Sequence, residues 1–229
     1  MTPDEAQALG KALDTAKDYA DEVLKGPLAE FGGILSDTIG YWRLKNRVRL
    51  MLKAKRWLED KGVEPRKLLP EVFVPLLEDG GNVEDETLAS MFASLLASYL
   101  DPDKEENIHP SYTKVLAQLS PLDAKLMLVF RRGASYKGAR EIGLRGWVVS
   151  VEHVAEMVEV PKRASYLSCL NLWRLGILEH QGYRPPSGHP IPTIFEDSPE
   201  HQQYRITEYG VAFCDACQYG EESNKAETA

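Results

Sequence analysis

Six apolar residues between Glu84 and Leu100 recur at i, i+3, i+4, i+7, i+8 and i+11: Leu88, Met91, Phe92, Leu95, Leu96 and Tyr99. That is the spacing of one helix face. A face so broad cannot be left in water, so the chain has to build a core around this helix. Phe92, the largest apolar side chain in mid-stripe, is expected to be buried. Asp101-Pro102 ends the helix, because proline disfavours helical geometry in the residue before it.

The segments before it read as helical too, and the expected fold class is mostly α. From Pro3 to Lys25, Leu9, Leu13, Ala16, Ala20, Val23 and Leu24 fall at helical spacing, and Gly26-Pro27 interrupts them. Leu28 to Gly40 carries Gly32, Gly33 and Gly40 and reads as a short, tightly packed helix. A membrane-seeking segment is the second reading, weakened by its length and by Glu30 and Asp37. Tyr41 to Lys61 is expected as one helix, with Leu44, Val48, Met51, Leu52 and Leu58 on one face and Gly62 closing it. Pro70 and Pro75 predict a short or broken helix over Leu68 to Leu77, followed by a loop at Asp79-Gly80-Gly81-Asn82.

Beyond Asp101 the pattern changes. A short helix is expected from Pro110 to Leu119, with Tyr112, Val115, Leu116 and Leu119 inward. Ser120-Pro121-Leu122-Asp123 reads as a helix start: Ser120 can cap, Pro121 fits the first turn, and Asp123 suits the positive end. Two further helices follow, Val151 to Glu159 and Lys162 to Leu175, separated by a turn at Val160-Pro161. Ile177 to His180 reads as a strand, a Pro/Gly-rich excursion from Pro185 to Pro199 as a wing, and Tyr204 to Ile206 as the returning strand, with Thr207 opening a last helix. Helix, helix, strand, wing, strand is the order of a winged helix-turn-helix. The expected organisation is therefore a multi-helix domain over 1–108 and a winged helix-turn-helix-like domain with a small β wing over 109–220. The tail over 221–229 has little to bury and is expected to be disordered.

Three stretches together resemble the abortive-infection alpha family of bacterial proteins. The first is Glu86 to Ser98, above all Met91-Phe92-Ala93-Ser94-Leu95-Leu96-Ala97-Ser98. The second is Ile108-His109-Pro110-Ser111-Tyr112 with Leu119-Ser120-Pro121-Leu122-Asp123-Ala124. The third runs from Tyr204-Arg205-Ile206-Thr207-Glu208-Tyr209-Gly210 to Phe213, ahead of Cys214 and Cys217. The resemblance spans about Leu28 to Cys217. It implies phage defence through abortive infection and carries no catalytic residues over to this chain.

Charge and cysteine content narrow the function classes. The net charge of −8 argues against a general nucleic-acid coat. Its distribution is uneven, with ten Lys/Arg against three Asp/Glu from Tyr41 to Lys67. Three cysteines, without disulfide-framework spacing, favour a reducing compartment. The opening residues lack the basic start and apolar run of a secretion signal, and the expected location is the cytoplasm. No phosphate-cradling glycine loop, HExxH or GxSxG is present, so an enzyme is not expected, nor a cofactor.

Four groups of residues are candidates for function. Lys45, Arg49, Lys53 and Arg56 form a stripe on the Tyr41 helix. The first reading is a solvated face paired to the surplus acid, with Asp14, Asp18, Asp21 and Glu22 as partners. A polyanion-binding face and docking to anionic lipid beside Trp42 and Trp57 are the alternatives. Lys162, Arg163, Ser165, Tyr166, Asn171 and Arg174 lie on the helix that would read DNA. Ser120 to Gly220 nevertheless holds eleven Lys/Arg and eleven Asp/Glu, so protein contact or internal packing is favoured over DNA reading. Cys214-Asp215-Ala216-Cys217 is a CxxC without a second ligand pair and reads as buried packing more than as zinc binding. His109 and Ser111 stand too close in sequence to form a Ser–His dyad readily, and read as helix-start chemistry. The expected role is defence by binding, through a protein partner of host or phage or through self-association. The alternatives are a winged-helix nucleic-acid-binding regulator and an effector that associates with a membrane surface.

Overall fold

Every residue from Met91 to Leu100 is buried in the computed structural model, on all sides of a helix that was legible only as one apolar face. The structure describes residues 3–25, 41–107, 109–134, 148–181 and 202–219. The expectations for Leu28 to Gly40, for the Pro185 to Pro199 excursion and for the 221–229 tail fall outside them. Among the described residues the protein is mostly helical, with nine α-helices and one three-stranded sheet. It divides into two compact units, Met1–Gln118 with Asp215–Ala229, and Leu119–Cys214.

The first unit contains α1 (Pro3–Val23), α2 (Tyr41–Asp60), α3 (Pro70–Gly81), α4 (Glu86–Leu100) and, after a 3-10 turn at Pro102–Asn107, α5 (Tyr112–Leu116). The Asp85 carboxylate accepts the Leu88 N–H at 3.0 Å and caps α4. At the other end Arg66 covers the free carbonyls, its N–H on Leu100 O and its Nε on Tyr99 O, each at 2.7 Å. Helices α2, α3 and α5 all pack on α4, and α1 packs on α2. Phe92 is 1% exposed. Ala93, Ser94, Ala97 and Ser98 let other segments approach the side away from the apolar stripe, and the Ser98 hydroxyl donates to Ala216 O at 2.8 Å.

Two expectations change here. Gly80 and Gly81 are the last turn of α3, not a loop, and Pro75 is accommodated inside that helix. A Cβ at Gly80 would fall 2.5 Å from Leu50 Cδ1 and 3.0 Å from the Phe92 ring, and one at Gly81 would fall 2.7 Å from Arg47 Cγ. The glycines serve close packing, not a turn. The division between the units lies at 118/119, inside the expected His109 to Ser120 junction but beyond 108/109, because α5 buries Tyr112, Val115 and Leu116 within the first unit. Asp215 to Tyr219 also belong to that unit. The Tyr219 ring is fully buried, and its hydroxyl donates to the buried Asp101 carboxylate at 2.8 Å.

The second unit contains α6 (Pro121–Ala134), β1 (Val149–Ser150), α7 (Val151–Met157), α8 (Lys162–Arg174), β2 (Leu178–His180), β3 (Gln203–Ile206) and most of α9 (Glu208–Ala216). Ser120 and Asp123 close a reciprocal cap at the start of α6: the Asp123 N–H donates to Ser120 Oγ, and the Ser120 N–H to the Asp123 carboxylate. The sheet is antiparallel in the order β1-β3-β2, with Val149 opposite Tyr204 and Leu178 opposite Ile206. The two-residue β1, too short to carry an alternating pattern, was not foreseen. Gly176, at φ +76, ends α8, and Thr207 caps α9 through the Gly210 N–H while donating to Gly176 O. Helix α8 packs on α6, α7 and β2.

Candidate functional site

The basic stripe of α2 does not stay together. Lys45, Arg49 and Arg56 are exposed, whereas Lys53 is half-buried. The expected partners on α1 are not the ones that pair. Arg49 meets Glu86 of α4 at 2.7 Å, and Arg56 lies 3.7 Å from Asp60, one turn along its own helix. Asp14, Asp18, Asp21 and Glu22 are all exposed, and α1 meets α2 instead through Tyr19, over whose ring Lys55 lies. Lys45 makes no ion pair among the described residues.

Lys53 is the distinctive member. Its ammonium donates to Ser90 Oγ at 3.0 Å and lies 5.1 Å from the centre of the Trp57 ring. Partial burial lowers its pKa from the ordinary lysine value; Glu86 opposes that shift and the neighbouring Arg49 adds to it. Arg49, Lys53, Asn46, Leu50, Gly80, Glu86 and Ala89 line a small open pocket of about 50 Å³. Asn46 is held in its wall by donating to Val83 O at 3.1 Å. Sequence reasoning missed Glu86, Ser90 and Asn46, since only tertiary packing brings α4 and the end of α3 against α2. Trp42 is exposed beside Arg43, as lipid docking would require, but Trp57 is half-covered by Lys53. No helix among the described residues is long and apolar enough to cross a membrane.

On α8 the residues expected to read DNA divide between two sides. Ser165 is buried and donates to Val151 O. Asn171 donates to the buried Asp123 carboxylate at 2.9 Å, which Ser168 also engages, and accepts from Arg174 in turn. Lys162 pairs with Glu152 of α7. What α8 presents outward is Arg163, Tyr166, Leu167, Leu170, Trp173 and Arg174, a single face at helical spacing opposite buried Ser165, Ser168, Cys169 and Leu172. Leu167 is 55% exposed and Trp173 51%. Both were passed over in the search for phosphate-contacting residues. The signal was present: once Ser168, Cys169 and Leu172 are turned inward, Leu167 and Trp173 have no buried side left to occupy.

The remaining candidates are structural in their surroundings. Cys169, Cys214 and Cys217 are all buried, and burial pushes the Cys169 thiol up to about 12. No cluster of three or more metal-ligating side chains occurs among the described residues. His109 Nδ1 and Ser111 Oγ do come within 2.8 Å, contrary to expectation, because the chain turns back at Pro110. The same nitrogen accepts the Ser111 N–H just before α5 begins, which is a local turn closure.

The family described as Abortive infection alpha matches this chain over residues 45–217. No curated protein and no solved structure gives a match.

Proposed function

The chain belongs to the abortive infection alpha family, and on that footing we propose that it acts in phage defence by binding a protein partner inside the cell, not by catalysis. The contact surface is the outward face of α8, in a second unit that we read as a winged helix-turn-helix-like module. The order α6, β1, α7, α8, β2, β3 with an antiparallel sheet supports the winged-helix reading. One observation carries the binding reading: α8 holds Leu167 and Trp173 half in water on the side away from its own core. Two large apolar side chains flanked by Arg163 and Arg174 have the composition of a protein interface, where Trp, Tyr and Arg supply most of the binding energy. A helix that reads a major groove presents polar and basic side chains instead, and here Ser165 and Asn171 are turned inward and Lys162 is neutralised by Glu152.

The test is a phage challenge of cells carrying Leu167→Ser with Trp173→Ala. Protection should be lost, while circular dichroism and melting of the purified variant match the parent. Undiminished protection would refute the assignment of this face. Hydrolysis of nucleotide, nucleic acid or peptide by the purified protein, abolished by a point variant, would refute the non-catalytic reading. Steeply salt-dependent binding of a duplex, weakened by Arg163→Gln and Arg174→Gln, would replace the protein partner with nucleic acid.

A further inference from the structure

The small pocket between α2 and α4 carries a charge imbalance that the fold leaves unresolved. The two helices face each other there with one-turn pairs. Helix α2 offers Arg49 and Lys53, and α4 offers Glu86 and Ser90. Arg49 meets a carboxylate. Lys53, one turn further in and partly removed from water, donates to a neutral hydroxyl, lies beside the face of Trp57 and shares the Glu86 carboxylate with Arg49 without an ion pair of its own among the described residues. Two cations and one carboxylate therefore converge on a pocket whose other walls are Asn46, Leu50, Gly80 and Ala89. A half-buried ammonium is costly unless an anion or several hydrogen bonds accompany it.

We propose that this pocket binds a small anion of the phosphate class, held by Arg49 and Lys53, with Glu86 as the internal carboxylate that the ligand displaces. The Glu86 side chain is 76% exposed, so its pairing with Arg49 is weak and its carboxylate can rotate into water without leaving a buried group unsatisfied. The Arg49 fork can take two oxygens of a phosphate and the Lys53 ammonium a third, more acceptors than a flat carboxylate offers. A long polyanion fits less well. It needs a row of free cations, whereas Arg56 beyond the pocket is already near Asp60. Inorganic phosphate and the phosphate of a mononucleotide share this chemistry, and the experiment separates them.

The full-length chain is melted in inorganic phosphate, in adenosine monophosphate and in sodium chloride at equal ionic strength. Phosphate is expected to raise the melting temperature by a few degrees over chloride in a saturable way, as a ligand of the folded state does. Lys53→Met and Arg49→Gln should each weaken binding by about tenfold or more, and Lys53→Arg should restore most of it. Glu86→Gln removes the internal competitor and should tighten binding by about fivefold. Glu59→Gln makes the same charge change outside the pocket, beside Lys55, and should leave binding unchanged. A larger shift with the nucleotide than with phosphate assigns the site to a nucleotide; equal shifts assign it to the phosphate group alone. The proposal is overturned if phosphate does no more than chloride, if the Lys53→Met variant responds like the parent, or if Glu86→Gln binds no tighter than Glu59→Gln. Binding of a single-stranded oligonucleotide without any response to phosphate would also overturn it.

Discussion

Helices α4 and α8 are the middle elements of their units and are held in different ways. Around Met91 to Leu100, α4 is enclosed on every side by α2, α3 and α5 and by residues returning from the C-terminus, and its serines are as buried as its leucines. Helix α8 is packed on one side only. Its inner face is fastened by polar contacts as well as by Leu172, with Ser165 on Val151 O and with Ser168 and Asn171 on the Asp123 carboxylate. Its other side exposes Leu167 and Trp173. A helix enclosed all round can only stabilise. A helix fastened from one side by hydrogen bonds keeps its orientation while leaving the opposite face in water, and on the proposed function that face is the contact surface.

The contrast can be broken by substitution. Phe92→Ala in α4 should cost about 3–5 kcal/mol, measured by urea unfolding. A cost below about 1 kcal/mol would mean that α4 is not the packed axis described. Leu172→Ala on the inner face of α8 should cost about 3 kcal/mol, the loss of a fully buried leucine. Gly80→Ala tests the close packing of α3 against α4 through its sign. Helix propensity alone would make alanine more stable by roughly 1 kcal/mol. The contact with Leu50 and Phe92 should reverse this to a loss of about 1–2 kcal/mol, and a more stable variant would show that the packing has room to spare. Trp173→Ala, adjacent to Leu172, removes more apolar volume than the leucine change yet should alter stability by less than about 0.5 kcal/mol. If the two neighbours cost the same, α8 is enclosed like α4 and the outward face does not exist as a free surface.

Local signals and distant ones were not equally legible. The period of Leu88 to Tyr99, the stop at Asp101-Pro102, the cap at Ser120 and Asp123 and the helices on either side of Pro161 depend on residues a few positions apart, and all appear where the pattern puts them. The combination of Met91 to Ser98, His109 to Tyr112 and Tyr204 to Phe213 was enough to name the family. The candidate site was legible only as a supply of cations. Arg49 and Lys53 could be named, but Glu86 and Ser90 lie 37 residues away along the chain, and Asp14 to Glu22, nearer in sequence, were the wrong partners.

By itself, then, the sequence determined that the chain is mostly helical, which apolar face of α4 must be buried, where α4 ends and α6 begins, and to which family it belongs. Each of these follows from short-range periodicity, from capping chemistry or from a run of adjacent side chains. Only the tertiary structure decided that Gly80 and Gly81 are helical, that Tyr219 seals the first unit, that the basic stripe is divided among Glu86, Ser90 and Asp60, and that Leu167 and Trp173 are left in water. The physical reason is common to all four. A glycine, a lysine or a tryptophan is compatible with several local surroundings at nearly equal energy. Which one it occupies is chosen by the shape and charge of segments that only folding brings beside it.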